Sequence, residues 1–315
     1  MTAPHPGRGP AIDVGVIIVT YNSSTHVDGL LASLAAGLGG LRARVVVVDN
    51  GSTDDTVARL RSHPGAEVLV QQANRGYASA INAGLERTCD APAVLVLNPD
   101  LTLGAGSVPA LLAAAREPGA GIVVPQIRAP DGDIYPSLRR EPSLGRALGA
   151  AVIGGRLAGR YPRLSETIMD DASYRARCDV DWATGAAMLV TRECLDATGT
   201  WDESYFLYSE ETDFADRARR AGFRVVYEPA AVVCHTGGDG MTSPRLRSML
   251  VVNRLRYFRR RHGRLASAAF FVAVLGNELS RGVLGNRAAL AASLGLLRPG
   301  LRPPELACSD RLMPR

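Results

Sequence analysis

Three acidic groups in this chain stand directly after apolar runs, where backbone geometry can hold a carboxylate still. Val94-Leu95-Val96-Leu97 is followed at once by Asn98-Pro99-Asp100. Val45-Val46-Val47-Val48 runs into Asp49-Asn50-Gly51-Ser52-Thr53-Asp54, and Phe206-Leu207-Tyr208-Ser209 into Glu210-Glu211-Thr212-Asp213. Proline cannot donate to a strand ladder, so the first run stops at Pro99 and leaves Asp100 at the rim of a sheet. A carboxylate there suits a hard divalent cation, which could in turn hold a diphosphate; a turn aspartate capping the next segment is the plain alternative. Glu210, Glu211 and Asp213 open a helix, and helix physics alone reads them as acids stabilising its positive N-terminal end.

The elements that must carry these groups follow from periodicity. Val14 to Val19 reads as a strand buried on both faces, ending in Thr20-Tyr21-Asn22, with Ser23 or Ser24 capping a helix through Leu30, Leu31 and Leu34. Further strands are expected at Val45–Val48, Glu67–Val70, Val94–Leu97, Ile122–Val124, Ala187–Val190, Arg224–Tyr227 and Val232–His235. Helices are expected from about Ser107 and from the acidic trio to Gly222, the latter burying Phe214, Ala218 and Ala221. Strand alternating with helix predicts an α/β, doubly wound, mostly parallel sheet with flanking helices. Ligands bind beyond the carboxyl ends of such strands. Thr20-Tyr21-Asn22, Asp49–Asp54 and Asn98–Asp100 would therefore meet at one edge, in a nucleotide-sized site. The Gly-x-Gly-x-x-Gly fingerprint and the Gly-x-x-x-x-Gly-Lys-Ser/Thr loop are both missing, which removes the main support for nicotinamide or ATPase readings and favours a metal held by carboxylates.

The 315 residues are 46% hydrophobic and 21% charged, enough for one large globular domain with appendages. Net charge is +5, with much of the excess in Arg254, Arg256, Arg259, Arg260, Arg261 and Arg264. Such a cluster suits an anionic partner, but aromatics are 5% and no motif reads DNA or RNA, so nucleic acid is the weakest candidate. The five cysteines are scattered without Cys-x-x-Cys spacing and read as reduced thiols. Met1 to Pro10 lacks an apolar signal core, and Leu265–Leu275 is short of the roughly 18–20 residues of a spanning helix. A cytoplasmic protein is expected. Between Pro130 and about Arg177 periodicity weakens, and Tyr135-Pro136-Ser137-Leu138-Arg139-Arg140 reads either as a lid or partner-binding segment or as a surface connection.

Taken in order, Thr20-Tyr21-Asn22, Asp49–Asp54, Asn74-Arg75-Gly76-Tyr77, Asn98-Pro99-Asp100, Asp181-Trp182-x-x-Gly185-Ala186, Tyr208-x-Glu210-Glu211-x-Asp213 and His235 resemble the family 2 inverting glycosyltransferases of GT-A fold, especially bacterial rhamnosyltransferases. The matches span roughly residues 14 to 240; each motif is weak alone and the ordered set is specific. The resemblance implies that Thr20, Tyr21, Asn22, Asp49, Asn50 and Ser52 hold the nucleoside of a nucleotide-sugar, with Asn74, Arg75, Gly76 and Asn98 near its ribose or diphosphate. It implies Asp100 and His235 as ligands of Mg²⁺ or Mn²⁺, the histidine tilting the choice toward manganese. Glu211 stands at the position of the base, with Glu210 and Asp213 orienting the acceptor. Many relatives carry aspartate where this chain has Glu211, which leaves the choice between Glu210 and Glu211 open. Asp181, Trp182, Gly185 and Ala186 would face the acceptor, and Trp182 and Trp201 could stack on its sugar or serve as core aromatics.

The expected organisation is a tail at 1–12, a GT-A domain at 13–240 (nucleotide-sugar half 13–125, acceptor half 126–240), a helical extension at 241–300 and a tail at 301–315. Arginines of Leu246–Arg264 beside the apolar stretches Leu265–Leu275 and Ala288–Leu297 suit an anionic membrane surface, a helical cap or a dimer face; membrane contact is placed ahead because the relatives glycosylate polyprenyl-diphosphate-linked sugars. The expected partners are a nucleotide-sugar, with dTDP-rhamnose first, and a glycan or lipid-linked sugar. The competing reading is a non-catalytic nucleotide-sugar-binding protein of the same fold.

Overall fold

A computed structural model describes residues 12–236 and 243–306. The expected N-terminal tail, apart from residue 12, and the last residues of the C-terminal tail, with Cys308, lie outside them, as does the glycine-rich turn after His235. In chain order the first half comprises β1 (Val14–Thr20), α1 (Val27–Leu38), β2 (Ala43–Asp49), α2 (Thr56–Ser62), β3 (Ala66–Val70), α3 (Tyr77–Arg87), β4 (Ala93–Leu97), β5 (Leu101–Leu103), α4 (Ser107–Ala114) and β6 (Ala120–Arg128). The remainder comprises β7 (Leu138–Arg139), α5 (Leu144–Ile153), α6 (Gly155–Ala158), β8 (Cys178–Val180), β9 (Trp182–Ala183), β10 (Ala187–Thr191), α7 (Arg192–Thr198), α8 (Glu210–Arg220), β11 (Arg224–His235), α9 (Pro244–Arg261), α10 (Arg264–Val283) and α11 (Arg287–Leu297).

The main sheet runs β3-β2-β1-β4-β10-β6-β11-β5, with β8 added beside β11. Strands β3, β2, β1 and β4 are parallel, whereas β10 lies antiparallel between β4 and β6. Alternation of side chains splits the core between the two faces. Ile17, Val19, Val94 and Val96 pack with Trp201 and Phe214 on one face; Val16, Ile18, Leu95 and Leu97 pack with Leu30, Val108 and Leu111 on the other. A third apolar cluster joins α9, α10 and α11 to Phe206, Leu207 and Tyr208.

Several local expectations are corrected. Neither Ser23 nor Ser24 caps α1: His26 precedes the helix without a side-chain cap, while the Ser23 carbonyl accepts from the His26 and Val27 amides. Ala221 is exposed at the end of α8, because the helix stops at Arg220 and the chain turns at Gly222, whose φ is 92°. Residues 130–177 are no bare loop: they carry β7 paired with β9, helices α5 and α6, and the buried Tyr174.

Four of the arginines of α9 are turned onto the preceding chain. Arg254 pairs with Glu166, Arg260 with Asp202, and Arg261 with both Asp213 and Asp216; Arg256, 3% exposed, donates to the Ser204 carbonyl. Their partners come from the preceding 240 residues, on α8 and in the loops at 166 and 202–204, so these four guanidinium groups tie the helix to the rest of the chain and do not form a basic platform. Arg247 and Glu278, both buried, join α9 to α10 through two hydrogen bonds of 2.7 Å.

Candidate active site

The carboxyl ends of β1, β2 and β4 do meet at one edge, and local chemistry shapes each turn. At the end of β1 the Thr20 hydroxyl donates to Asp49 at 2.9 Å, and the Asn50 amide donates to the Thr20 carbonyl at 2.8 Å. Asp49 is fully buried: its oxygens accept from the Ser52 hydroxyl (2.5 Å) and the Ser52 amide (2.9 Å) as well as from Thr20. Asn50 ties this turn to the next, donating to the Gly76 carbonyl and accepting from the Arg75 amide.

A cavity of about 390 Å³ opens at this edge, lined by Thr20, Tyr21, Asn22, Asn50, Asn74, Gly76, Asn98 and Asp100 from the expected set. Asp49 and Ser52 are not among its walls, because their polar atoms are spent on each other and on Thr20; they build the loop. The Arg75 side chain is exposed outside it. Sequence reasoning missed His26, Tyr77, Phe206, Leu207 and Leu246 here. Tyr77 stood inside a quoted motif and was its only signal; the others lie in stretches without polar pattern.

Register brings His235 to Asp100. Strand β5 pairs antiparallel with β11, placing His235 opposite Leu101, and Thr236 donates twice to the Asp100 carbonyl. His235 Nε2 lies 3.0 Å from Asp100 Oδ2, while Asp100 Oδ1 is buried without a partner. Burial works against the charged form of Asp100, but the hydrogen bond and charge of His235 outweigh it and hold the carboxyl below its usual value. An orphaned carboxylate oxygen beside an imidazole fits a divalent cation with two protein ligands and room for substrate oxygens. Among the described residues no cluster of three or more His, Cys, Asp or Glu forms a fuller cage.

Glu210 and Glu211 start α8 from a strained segment. Tyr208 and Ser209 both have left-handed backbones, φ 69° and 72°, which side-chain-bearing residues seldom adopt. The strip 206–209 is seated by Gly76: a Cβ there would come within 2.4 Å of the Phe206 carbonyl oxygen, which accepts from the Tyr77 amide at 2.8 Å. From behind, Asn253 on α9 donates to the Leu207 carbonyl at 2.8 Å. The strip forms a wall: Phe206 and Leu207 line the first cavity, Tyr208 and Ser209 a second one of about 420 Å³.

Glu211 lines this second cavity, and Glu210, 3% exposed, does not. Each has a buried Oε2 without a partner. Burial lifts the Glu211 carboxyl to about 7, against the opposing pull of helix-start amides and Arg139. Glu210 is pushed up by burial and then by the charge of Glu211. The Tyr77 hydroxyl, held on the Gly185 carbonyl at 3.2 Å, feels Glu210, Glu211 and Asp100 together. Tyr77, which lines the first cavity, is thus within electrostatic reach of the carboxylates of both sites.

The remaining expected residues divide. Trp182 lines the second cavity and donates to the Arg140 carbonyl at 3.0 Å. Trp201 is 3% exposed and stacked at 3.7 Å on Phe214, so it is a core aromatic with no face for a sugar. Asp213 turns away from Glu211 and is held by Arg217 and Arg261, because residues two apart on a helix face different ways. Asp181 accepts from the Glu141 amide, the Ala186 carbonyl accepts from the Asn98 amide, and Gly185 packs on Glu211. These three shape the walls without lining them.

A mixed sheet with strand-end carboxylates and a nucleotide-sized cavity defines a GT-A-type fold. Its solved neighbours include the mannosyltransferase PcManGT of Pyrobaculum calidifontis with GDP-Man and Mn²⁺ (TM-score 0.55, 18% identity, 98% of this chain and 86% of that one). GalNAc-T7 with UDP, GalNAc and Mn²⁺ is another (TM-score 0.56, 14% identity, 78% and 47%). The profile of glycosyl transferase family 2 matches residues 15–175, and the chain belongs to that family. It is 39% identical over 238 residues to the N-acetylglucosaminyl-diphospho-decaprenol L-rhamnosyltransferase of Mycobacterium tuberculosis, covering 70% of this chain and 75% of that protein. It is 28% identical to the low-salt glycan biosynthesis hexosyltransferase Agl10 of Haloferax volcanii, covering 68% and 64%.

Proposed function

We propose that this family 2 glycosyltransferase transfers a sugar with inversion, L-rhamnose from dTDP-rhamnose being the first candidate, to a hydroxyl of a polyprenyl-diphosphate-linked sugar. The observation that carries the reading is Glu211, a buried carboxylate raised above its usual value on the wall of one cavity, with Asp100 on the wall of the other and Tyr77 within electrostatic reach of both. A carboxylate raised toward the neutral range by burial suits a general base. Glu211 removes the proton of the acceptor hydroxyl. The oxygen then attacks the anomeric carbon opposite the diphosphate, and that bond breaks with its electrons passing to the diphosphate oxygen. The cavity walls supply alignment, a large part of such catalysis. Glu210, whose carboxyl is pushed up by burial and then by the charge of Glu211, adjoins it at the start of α8 and positions it. Asp100 and His235 would hold Mn²⁺ in preference to Mg²⁺, and a bound cation would offset the charge gathering on the departing diphosphate.

A panel of nucleotide-sugars titrated with Mn²⁺ and Mg²⁺ tests this, reading thermal stabilisation and release of nucleoside diphosphate. Stabilisation by one donor together with metal-stimulated release is expected; a donor that stabilises and is never turned over leaves a binding protein. No helix among the described residues is long and apolar enough to cross a membrane. We place peripheral membrane contact on α10, whose Leu265, Val272, Leu279 and Val283 form an exposed apolar stripe. Vesicle flotation is expected to be lost in the Val272→Glu/Val283→Glu double variant.

A further inference from the structure

The second cavity carries more positive charge than its own acids neutralise. Its walls hold five arginines and three glutamates. Two pairs cancel: Arg247 with Glu278 and Arg254 with Glu166. That leaves Arg139, Arg146 and Arg281 against Glu211 alone.

Among the described residues none of these three has a carboxylate partner. Arg139 donates through Nη1 only, to the Pro136 and Leu138 carbonyls at 2.5 and 3.0 Å. Arg146 donates to the Pro162 and Glu141 carbonyls at 3.0 and 2.5 Å. Arg281 reaches from α10 toward Gly155 on α6, and its guanidinium has no hydrogen-bond or ion-pair partner among the described residues. Carbonyl oxygens fix the direction of a guanidinium without cancelling its charge. Two arginines so oriented and a third without a partner among the described residues, around one cavity, are matched by a ligand with several anionic oxygens, and the planar fork of arginine suits phosphate oxygens in pairs. The Asp100–His235 pair belongs to the other cavity, so the donor's diphosphate is already provided for. Leu250 and Met169 give the second cavity apolar wall between its charges.

We propose that Arg139, Arg146 and Arg281 form a binding site for a diphosphate on the acceptor, which lets the enzyme distinguish a diphosphate-linked sugar from the same sugar on a neutral aglycone. The proposal rests on the reading of Glu211 as the acceptor's base. It makes the three arginines specificity-determining residues and leaves proton transfer to the carboxylate.

The experiment has a binding arm and a kinetic arm, both on the full chain. Undecyl diphosphate, titrated calorimetrically in EDTA, should bind wild type and lose at least tenfold in affinity in Arg281→Gln. Arg281→Lys should recover part of that affinity, and Asp100→Asn should keep the wild-type value. Loss in Asp100→Asn with none in Arg281→Gln would overturn the proposal, as would no binding to wild type. In the kinetic arm, N-acetylglucosaminyl diphosphoundecane is compared with undecyl N-acetylglucosaminide under saturating donor. Arg281→Gln and Arg146→Gln should raise KM for the first at least tenfold with kcat within threefold, and leave KM for the second unchanged. Equal effects on both acceptors would also overturn it. If wild type binds undecyl diphosphate through Arg281 but releases no nucleoside diphosphate from any donor, the transferase reading fails and the anion site stands.

Discussion

The two cavities are built by different means. The first cavity is assembled from turns at the ends of neighbouring strands, tied by polar side chains and strand register: Asn50 bridging to the Gly76 carbonyl, Thr20 to Asp49, and β5 delivering Asp100 to His235. The acceptor-side cavity is assembled from side chains of β7, α5, α8, α9 and α10, which are far apart in the chain. Two of its five arginines are balanced by pairs such as Arg254–Glu166, 88 residues apart. The first cavity is set by the sheet edge, and the second is walled in large part by helices from the C-terminal part of the chain.

Changes on each side should therefore fail differently. The largest effect is expected from Glu211→Gln, which should lower transfer by about 10²–10⁴-fold while donor affinity, read by calorimetry, stays within twofold. Comparable loss in donor affinity would merge the two sides. In wild type, kcat should fall as pH drops through about 7, because the base must be ionised. The raised carboxyl also favours folding at low pH, an advantage lost as pH rises toward 7, so Glu211→Gln should gain thermal stability relative to wild type at pH 8 but not at pH 4. Next comes Glu278→Gln, which strands the buried Arg247 and should cost about 3–5 kcal/mol by denaturant unfolding, with acceptor KM rising before donor KM. The smallest effect is expected at the rim: Tyr21, 48% exposed, should when changed to alanine weaken donor binding by about threefold to tenfold, the scale of one stacked base, without altering acceptor KM.

The difference in construction also explains what could be read from residues alone. Thr20–Asn22 and Asn98–Asp100 were legible because a strand fixes where its last residue sits, and a parallel sheet aligns several such ends. The pairing of Asp100 with His235 was not legible from local pattern, since it depends on β5 turning back along β11. Trp201 illustrates the opposite error: a tryptophan near a site can stack on a sugar or on Phe214, and only packing decides. Counting arginines in α9 could not show that Glu166, Asp202, Asp213 and Asp216 wait for them elsewhere. Arg139 lay in a stretch without periodicity, so its place on the acceptor wall had no signal beyond its presence in Tyr135–Arg140.

The inward arginines of α9 also set the smallest piece of this chain that can be handled on its own. Ending it after β11 would strip Asp213 and Asp216 of Arg261, leave the Ser204 and Leu207 carbonyls without Arg256 and Asn253, and take Leu246 from one cavity and Leu250 from the other. The stretch that matches the family profile, and even the whole sheet, thus lacks one wall residue of the first cavity and a whole side of the second, both supplied by the helices beyond it.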